Sequence, residues 1–189
     1  MKREKKIVLV VHCILNVNAK VEGIAPSKAG VEELVIGLMR QGYGIIQLPC
    51  VEQDMCGIRR WGQVKEQLDH PNFRQRCHTL LMPILNQVDD FIQNGYSVCG
   101  IVGLDGSPSC GVELTCSGEW YGEIGEGFHV LEKANTLQMV PKSGVMMDVL
   151  KSMLKERNIT IPFLAVDEAN PEKSVQDILT RIVKVENNN

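Results

Sequence analysis

Seven cysteines are spread along this 189-residue chain, at positions 13, 50, 56, 77, 99, 110 and 116. Three of them close, or closely follow, short apolar runs rich in β-branched residues. The runs are Val8-Leu9-Val10-Val11-His12-Cys13, Ile45-Ile46-Gln47-Leu48-Pro49-Cys50, and Ile101-Val102-Gly103-Leu104 with Asp105-Gly106-Ser107-Pro108-Ser109-Cys110-Gly111 after it. Such runs, separated by helical stretches, read as buried parallel strands. In an open α/β sheet, neighbouring strand ends share a crevice at the carboxyl edge, and ligands bind there. Cys13, Cys50 and Cys110 are therefore expected at one edge although they lie far apart in sequence. Three thiolates without a fourth partner in the pattern suit a metal centre with an open position. Thiolates select zinc, Cu(I) and iron–sulfur clusters over hard cations. A structural zinc site closes with four ligands, usually from paired C-x-x-C spacings, and this chain has no C-x-x-C. Three thiolates on a cubane would leave one iron free for a substrate atom. Cys77 and Cys99 read as small buried hydrophobes. Cys56 and Cys116 stay open as further ligands.

The elements that position these residues follow from periodicity and punctuation. Strands are expected at 6–12, 44–49, 98–104 and 159–166, the last an edge strand because it holds Pro162. A loop spans 14–26, and Ser27 reads as the N-cap of a helix over 28–41. A second loop covers 50–62. Helical sequence follows to about 94, broken near Asp69-His70-Pro71, with Pro83 expected to kink or divide the main helix. Residues 105–141 are glycine-rich and carry no long periodic segment, which predicts an irregular lid over the crevice. Helices are expected at 142–157 and from Pro171 to about 185, and 187–189 as a frayed tail. This order gives one α/β domain over residues 1–189, flavodoxin-like or Rossmann-like. It has three layers and a mostly parallel four-stranded sheet in the order 2-1-3-4.

Hydrophobic content of 44%, charged content of 23% and a net charge of −3 fit a soluble globular chain. They give no footprint for nucleic acid. No apolar run reaches the roughly 18 residues a membrane span needs. Met1-Lys2-Arg3-Glu4-Lys5-Lys6 has the charge of a signal n-region, but a short apolar run without a small-residue cleavage site follows it. A solvated amino end and a cytoplasmic location are expected, and free thiols accord with both. Neither G-x-G-x-x-G nor a P-loop follows the first strand, and no G-x-S-x-G elbow is present.

Cys13-Ile14-Leu15-Asn16 with Val21-Glu22-Gly23, Pro49-Cys50-Val51-Glu52, and Ser107-Pro108-Ser109-Cys110-Gly111 together resemble the thiouracil desulfurase family. The resemblance covers about residues 7–115. It implies a [4Fe–4S] cluster on Cys13, Cys50 and Cys110, whose fourth iron accepts sulfur from a small thiocarbonyl compound without net redox change. Glu52 matches the motif glutamate, a candidate proton carrier. Ser107 and Ser109 are candidates for contacting substrate or cluster sulfide, or for setting the turn that presents Cys110. Pro108 and Gly111 suit that turn.

The chain departs from the family pattern at Val51, at Cys56-Gly57-Ile58-Arg59-Arg60-Trp61 and at Asp105-Gly106, which marks a divergent branch. Arg59, Arg60 and Trp61 could wall a pocket for a flat ring or an anion. If both arginines face inward, an anionic sulfur compound is the expected substrate. His12 should point away from the site by strand alternation, and Asn16 is either a substrate contact or a loop cap. Three functions follow: a cluster-dependent desulfidase, an iron–sulfur or metal carrier or sensor without turnover, and a small-molecule binding domain with incidental cysteines.

Overall fold

Buried β-branched sequence builds the centre of the molecule. A computed structural model describes residues 3–123 and 129–186. The first run forms β1 (Lys6–Val11), whose last five residues are buried. It turns directly into a single helical turn, α1 (His12–Leu15), and a 3-10 turn at Val17–Ala19. Then come α2 (Glu32–Arg40), β2 (Tyr43–Leu48) and α3 (Val51–Cys56). Next are α4 (Lys65–Leu68), α5 (Pro71–Gln93) and β3 (Ser97–Leu104). The middle segment holds β4 (Thr115–Ser117), α6 (Val130–Ala134) and β5 (Gln138–Val140). The chain closes with α7 (Val145–Glu156), β6 (Phe163–Val166) and α8 (Pro171–Glu186).

Four strands form one parallel sheet in the order β2-β1-β3-β6. This is the order expected from the sequence, with β6 as the fourth strand. Helices α2 and α8 pack together on one face, and α5 and α7 pair on the other, so the domain has three layers. The stripe on α5, Phe73, Cys77, Leu81, Leu85 and Val88, is fully buried and recurs at three- and four-residue spacing. Cys77 and Cys99 are core residues, as read from the sequence. Among the described residues no helix is long and apolar enough to cross a membrane.

Several local expectations are corrected. Residues 14–26 are not a plain loop, because helical turns follow β1 at once. Helix α2 starts at Glu32 rather than near 28; Ser27 Oγ donates to the carbonyl of Gly30 and closes a turn ahead of the helix. The segment after Cys50 is helical, with Cys50 as its N-cap. Pro83 lies inside a continuous α5 and does not divide it. The last strand begins at Phe163, with the Pro162 carbonyl accepting from the Ile101 amide. The glycine-rich segment is only partly irregular, since β4 and β5 pair antiparallel and α6 precedes β5. Residues 124–128 of that segment and the tail at 187–189 lie outside the described residues.

The loop carrying Cys110 is held by backbone. The amides of Val145 and Met146, at the start of α7, donate to the carbonyls of Pro108 (2.9 Å) and Ser109 (3.0 Å), and that of Gly144 to Gly111 (2.8 Å). The orphan donors of the α7 amino end are thereby satisfied. So close an approach leaves no room at Gly144, where an added Cβ would sit 2.4 Å from the Ser109 carbonyl carbon. Gly144→Ala is expected to cost at least about 2 kcal/mol and to lower the melting temperature by several degrees. Gly62→Ala serves as the control in the same thermal melts: nothing lies within 4 Å of an added Cβ there, so little change is expected.

Candidate functional site

Strand register brings the first two cysteines together. Val11 of β1 pairs with Leu48 of β2, and Cys13 and Cys50 each follow two residues later. Their thiols meet in a side-chain hydrogen bond. The third arrives by a return of the chain. After β3 the 105–110 loop doubles back until the Cys110 carbonyl accepts from the Leu104 amide at 3.2 Å. Cys110 lies close enough to raise the Cys13 pKa, and Cys50 raises that of Cys110. All three cysteines thus lie at the carboxyl edge of the sheet.

Their protonation differs. The hydrogen bond from Cys13 brings the Cys50 pKa down to about 7, against burial, with help from the Gln53 amide 3.4 Å from its sulfur. The same hydrogen bond, then burial, pushes Cys13 far up. Burial pushes Cys110 up to about 12. Near neutral pH the metal-free trio therefore carries about half a negative charge, and Cys50 bears it. Among the described residues no three His, Cys, Asp or Glu side chains converge tightly enough to hold a single metal ion. Three soft donors thus come from three loops at one edge of the sheet.

The serines divide their roles. Ser107 Oγ accepts from the amides of Ser109 (3.3 Å) and Cys110 (3.0 Å), so it shapes the turn. Ser109 is fully buried; its Oγ lies near enough to Cys110 to lower that pKa but makes no hydrogen bond of regular geometry. A buried hydroxyl without a regular partner is expensive, and it waits beside the thiol trio. Asp105 Oδ1 accepts from the amides of Val112 (2.9 Å), Glu113 (3.0 Å) and Leu114 (3.2 Å), an organiser of the loop.

Cys13 opens onto a cavity of about 570 Å³. Glu52, Arg60, Lys20, Asp105, Ser107 and Glu168 contribute polar groups to its wall. Glu52 is buried on α3, and Arg60 Nε donates to its Oε1 at 2.6 Å. The sequence reading had missed this pairing. It had also missed Lys20 and Glu168, which form an ion pair across the cavity. Asp167 and Glu168 follow β6 directly; carboxylates just past a fourth parallel strand were the signal that could have found them.

Arg59 and Arg60 do not share a wall: Arg59 lines a separate cleft beside Asn18 and Ile58. Trp61 is exposed to solvent and does not line the cavity. Cys116 lines the cavity, whereas Cys56 is exposed at the end of α3 and does not. His12 begins α1 rather than ending a strand, so alternation does not decide its direction; its Nε2 lies 3.2 Å from Asn16 Nδ2. Partial burial pushes its pKa down. Asn16 Oδ1 accepts from the Asn18 amide, the loop-cap role.

Comparison with known proteins adds one relative. Over 108 residues the chain is 36% identical to "Uncharacterized protein MJ0003" of Methanocaldococcus jannaschii, a match covering 57% of this chain and 69% of that protein. The chain belongs to that protein's family. No family model matches the sequence, and no solved structure does so significantly. The relative's name specifies no ligand or reaction.

The thiol electrostatics make a direct prediction. With a pKa of about 7, Cys50 is about half ionised at neutral pH, where an unperturbed thiol is only a few per cent thiolate. In a metal-free Cys56→Ser protein, iodoacetamide at pH 7 should label Cys50 first and spare Cys110 and Cys77. Cys13→Ala removes the hydrogen bond that stabilises the thiolate and should slow Cys50 labelling several-fold at that pH. Peptide mass mapping over time reads both outcomes.

Proposed function

We propose that this protein is a cluster-dependent desulfidase of the thiouracil desulfurase type, acting on a small thiocarbonyl compound. The observation that carries the reading is the convergence of Cys13, Cys50 and Cys110 from three strand ends beside a cavity of ligand size. A carrier or sensor of sulfur or metal would not need such a cavity. The three cysteines would hold a [4Fe–4S] cluster, which when bound supplies an open iron for the departing sulfur.

The chain's own groups have defined tasks in this scheme. The net reaction is hydrolysis: a water oxygen forms a bond to the thiocarbonyl carbon, and the carbon–sulfur bond breaks. Glu52 borders the cavity and takes a proton from the attacking water; one proton passes to the released sulfur and the other to solvent. Arg60 fixes the orientation of that carboxylate through Nε. Apolar walls at Val21, Leu104 and Pro108 limit competing water. Ser107 holds the turn, and Ser109 offers its hydroxyl beside Cys110. As for the surroundings, we propose a cytoplasmic protein that binds neither nucleic acid nor membrane.

Anaerobic reconstitution with iron and sulfide should give the broad visible absorption of an iron–sulfur cluster. Replacing Cys13, Cys50 or Cys110 singly with alanine should abolish it. Glu52→Gln should retain the absorption and lower hydrosulfide release from a processed thiocarbonyl by about a hundredfold or more. A colourless reconstituted protein, or full turnover in Glu52→Gln, contradicts the respective assignment.

A further inference from the structure

The charges around the cavity decide what it can accept. Its ionisable wall consists of four carboxylates, Glu52, Asp105, Asp167 and Glu168, and two cations, Lys20 and Arg60, besides the thiols. Neither cation offers an anion a free face. Lys20, only 8% exposed, is gripped by both carboxylate oxygens of Glu168. Every nitrogen of Arg60 is engaged: Nε by Glu52, Nη1 by the Gly57 carbonyl at 3.1 Å, and Nη2 by the Ala19 carbonyl at 2.8 Å. Asp167 accepts from the Ala169 amide and from Asn170 Nδ2, contacts that hold its charge at the rim. An entering anion would meet an excess of carboxylates and could reach a cation only by breaking a desolvated pair.

The rest of the wall is apolar and partly uncovered. Ile24 is 58% exposed, Leu114 40% and Met139 59%, and all three line the cavity. They come from three separate segments that the fold brings to the wall of one cavity. Apolar surface gathered at a cavity marks a binding region for apolar groups. The volume of about 570 Å³ also exceeds what a single small ring fills.

We infer that the cavity takes an uncharged or cationic thiocarbonyl compound bearing an apolar substituent, and that Glu168 enforces the exclusion of anions by neutralising Lys20. This rests on the desulfidase reading for the thiocarbonyl group; the charge and shape of the ligand rest on the walls alone. Ile24, Leu114 and Met139 cover the substituent, while the thiocarbonyl points toward Cys13. Glu168 is a specificity-determining residue and takes no part in proton transfer.

The test uses three para-substituted thiobenzamides carrying n-butyl, aminomethyl or carboxylate, with their oxygen counterparts as inert probes. Calorimetry on the wild-type protein should show the butyl benzamide binding at least about tenfold more tightly than the carboxylate. The aminomethyl compound should also bind more tightly than the carboxylate. Glu168→Gln, which releases Lys20, should bring the carboxylate to within about threefold of the butyl compound. Lys20→Met removes the cation and should preserve or widen the wild-type discrimination. Carboxylate binding as tight as butyl in the wild type, no butyl binding, or narrowed discrimination in Lys20→Met overturns the inference. Hydrosulfide release from the thiobenzamides by reconstituted protein is a separate readout. Its absence with the binding order intact removes the desulfidase reading and leaves the ligand class standing.

Discussion

The backbone contact between the 107–111 loop and the start of α7 is the constraint on which the site depends. Three amides at the helix entrance need acceptors, and the carbonyls of Pro108, Ser109 and Gly111 supply them. The bargain is steric as well as polar. At Gly103 an added Cβ would come within 2.5 Å of the Cys110 carbonyl oxygen, and at Gly111 within 2.1 Å of that of Leu114. Cys110 is therefore positioned by main chain on both sides, and its thiol sits beside the Ser107 and Ser109 hydroxyls. Met146 and Met147, fully buried, tie the same helix to the core, so sheet packing and site geometry are one mechanical unit.

Gathering three thiols without a metal has an electrostatic cost, and the structure shows where it falls. Only Cys50 is readily ionised near neutrality, because the proton it lacks is shared from Cys13. Cys13 is driven toward the neutral thiol by its hydrogen bond with Cys50 and by burial, and Cys110 by burial and by the charges of Cys50 and Glu52. Ligation demands thiolates, so filling this site would release protons from Cys13 and Cys110 and be favoured by rising pH. The preformed geometry offsets part of that cost by removing the need to order three distant segments at the moment of binding.

What could be read from the sequence was what depends on local pattern. Strand runs, the parallel order and the placement of Cys13, Cys50 and Cys110 at strand ends follow from apolar periodicity and from where each run stops. Pro162 marked the edge strand for a reason internal to one residue. The helices at 12–15 and 51–56 were not legible, being a turn or two long and stabilised by tertiary surroundings rather than propensity. Ser27 looked like a helix cap because its residue type favours capping, yet its hydroxyl closes a turn upstream. The partners of Glu52 and Lys20 were not legible either: Lys20 and Glu168 are 148 positions apart, and nothing local announces their meeting.

That last pairing shows why charge read along a chain misleads about charge inside a cavity. Arg59 and Arg60 are adjacent in sequence and suggested a basic wall, but a helix end sends them to different places. Arg60 is consumed by Glu52 and two carbonyls, so its contribution is shape: it fastens α3 to the turn at Ala19. Lys20 likewise fastens the segment after β1 to the segment after β6. Buried ion pairs contribute little net stability, since desolvation offsets their attraction, but breaking one by removing a single partner is costly. Two such pairs across one cavity therefore act as rigid braces between the loops of β1, β2 and β6. They hold the walls apart for a ligand while leaving apolar side chains as the surface it meets.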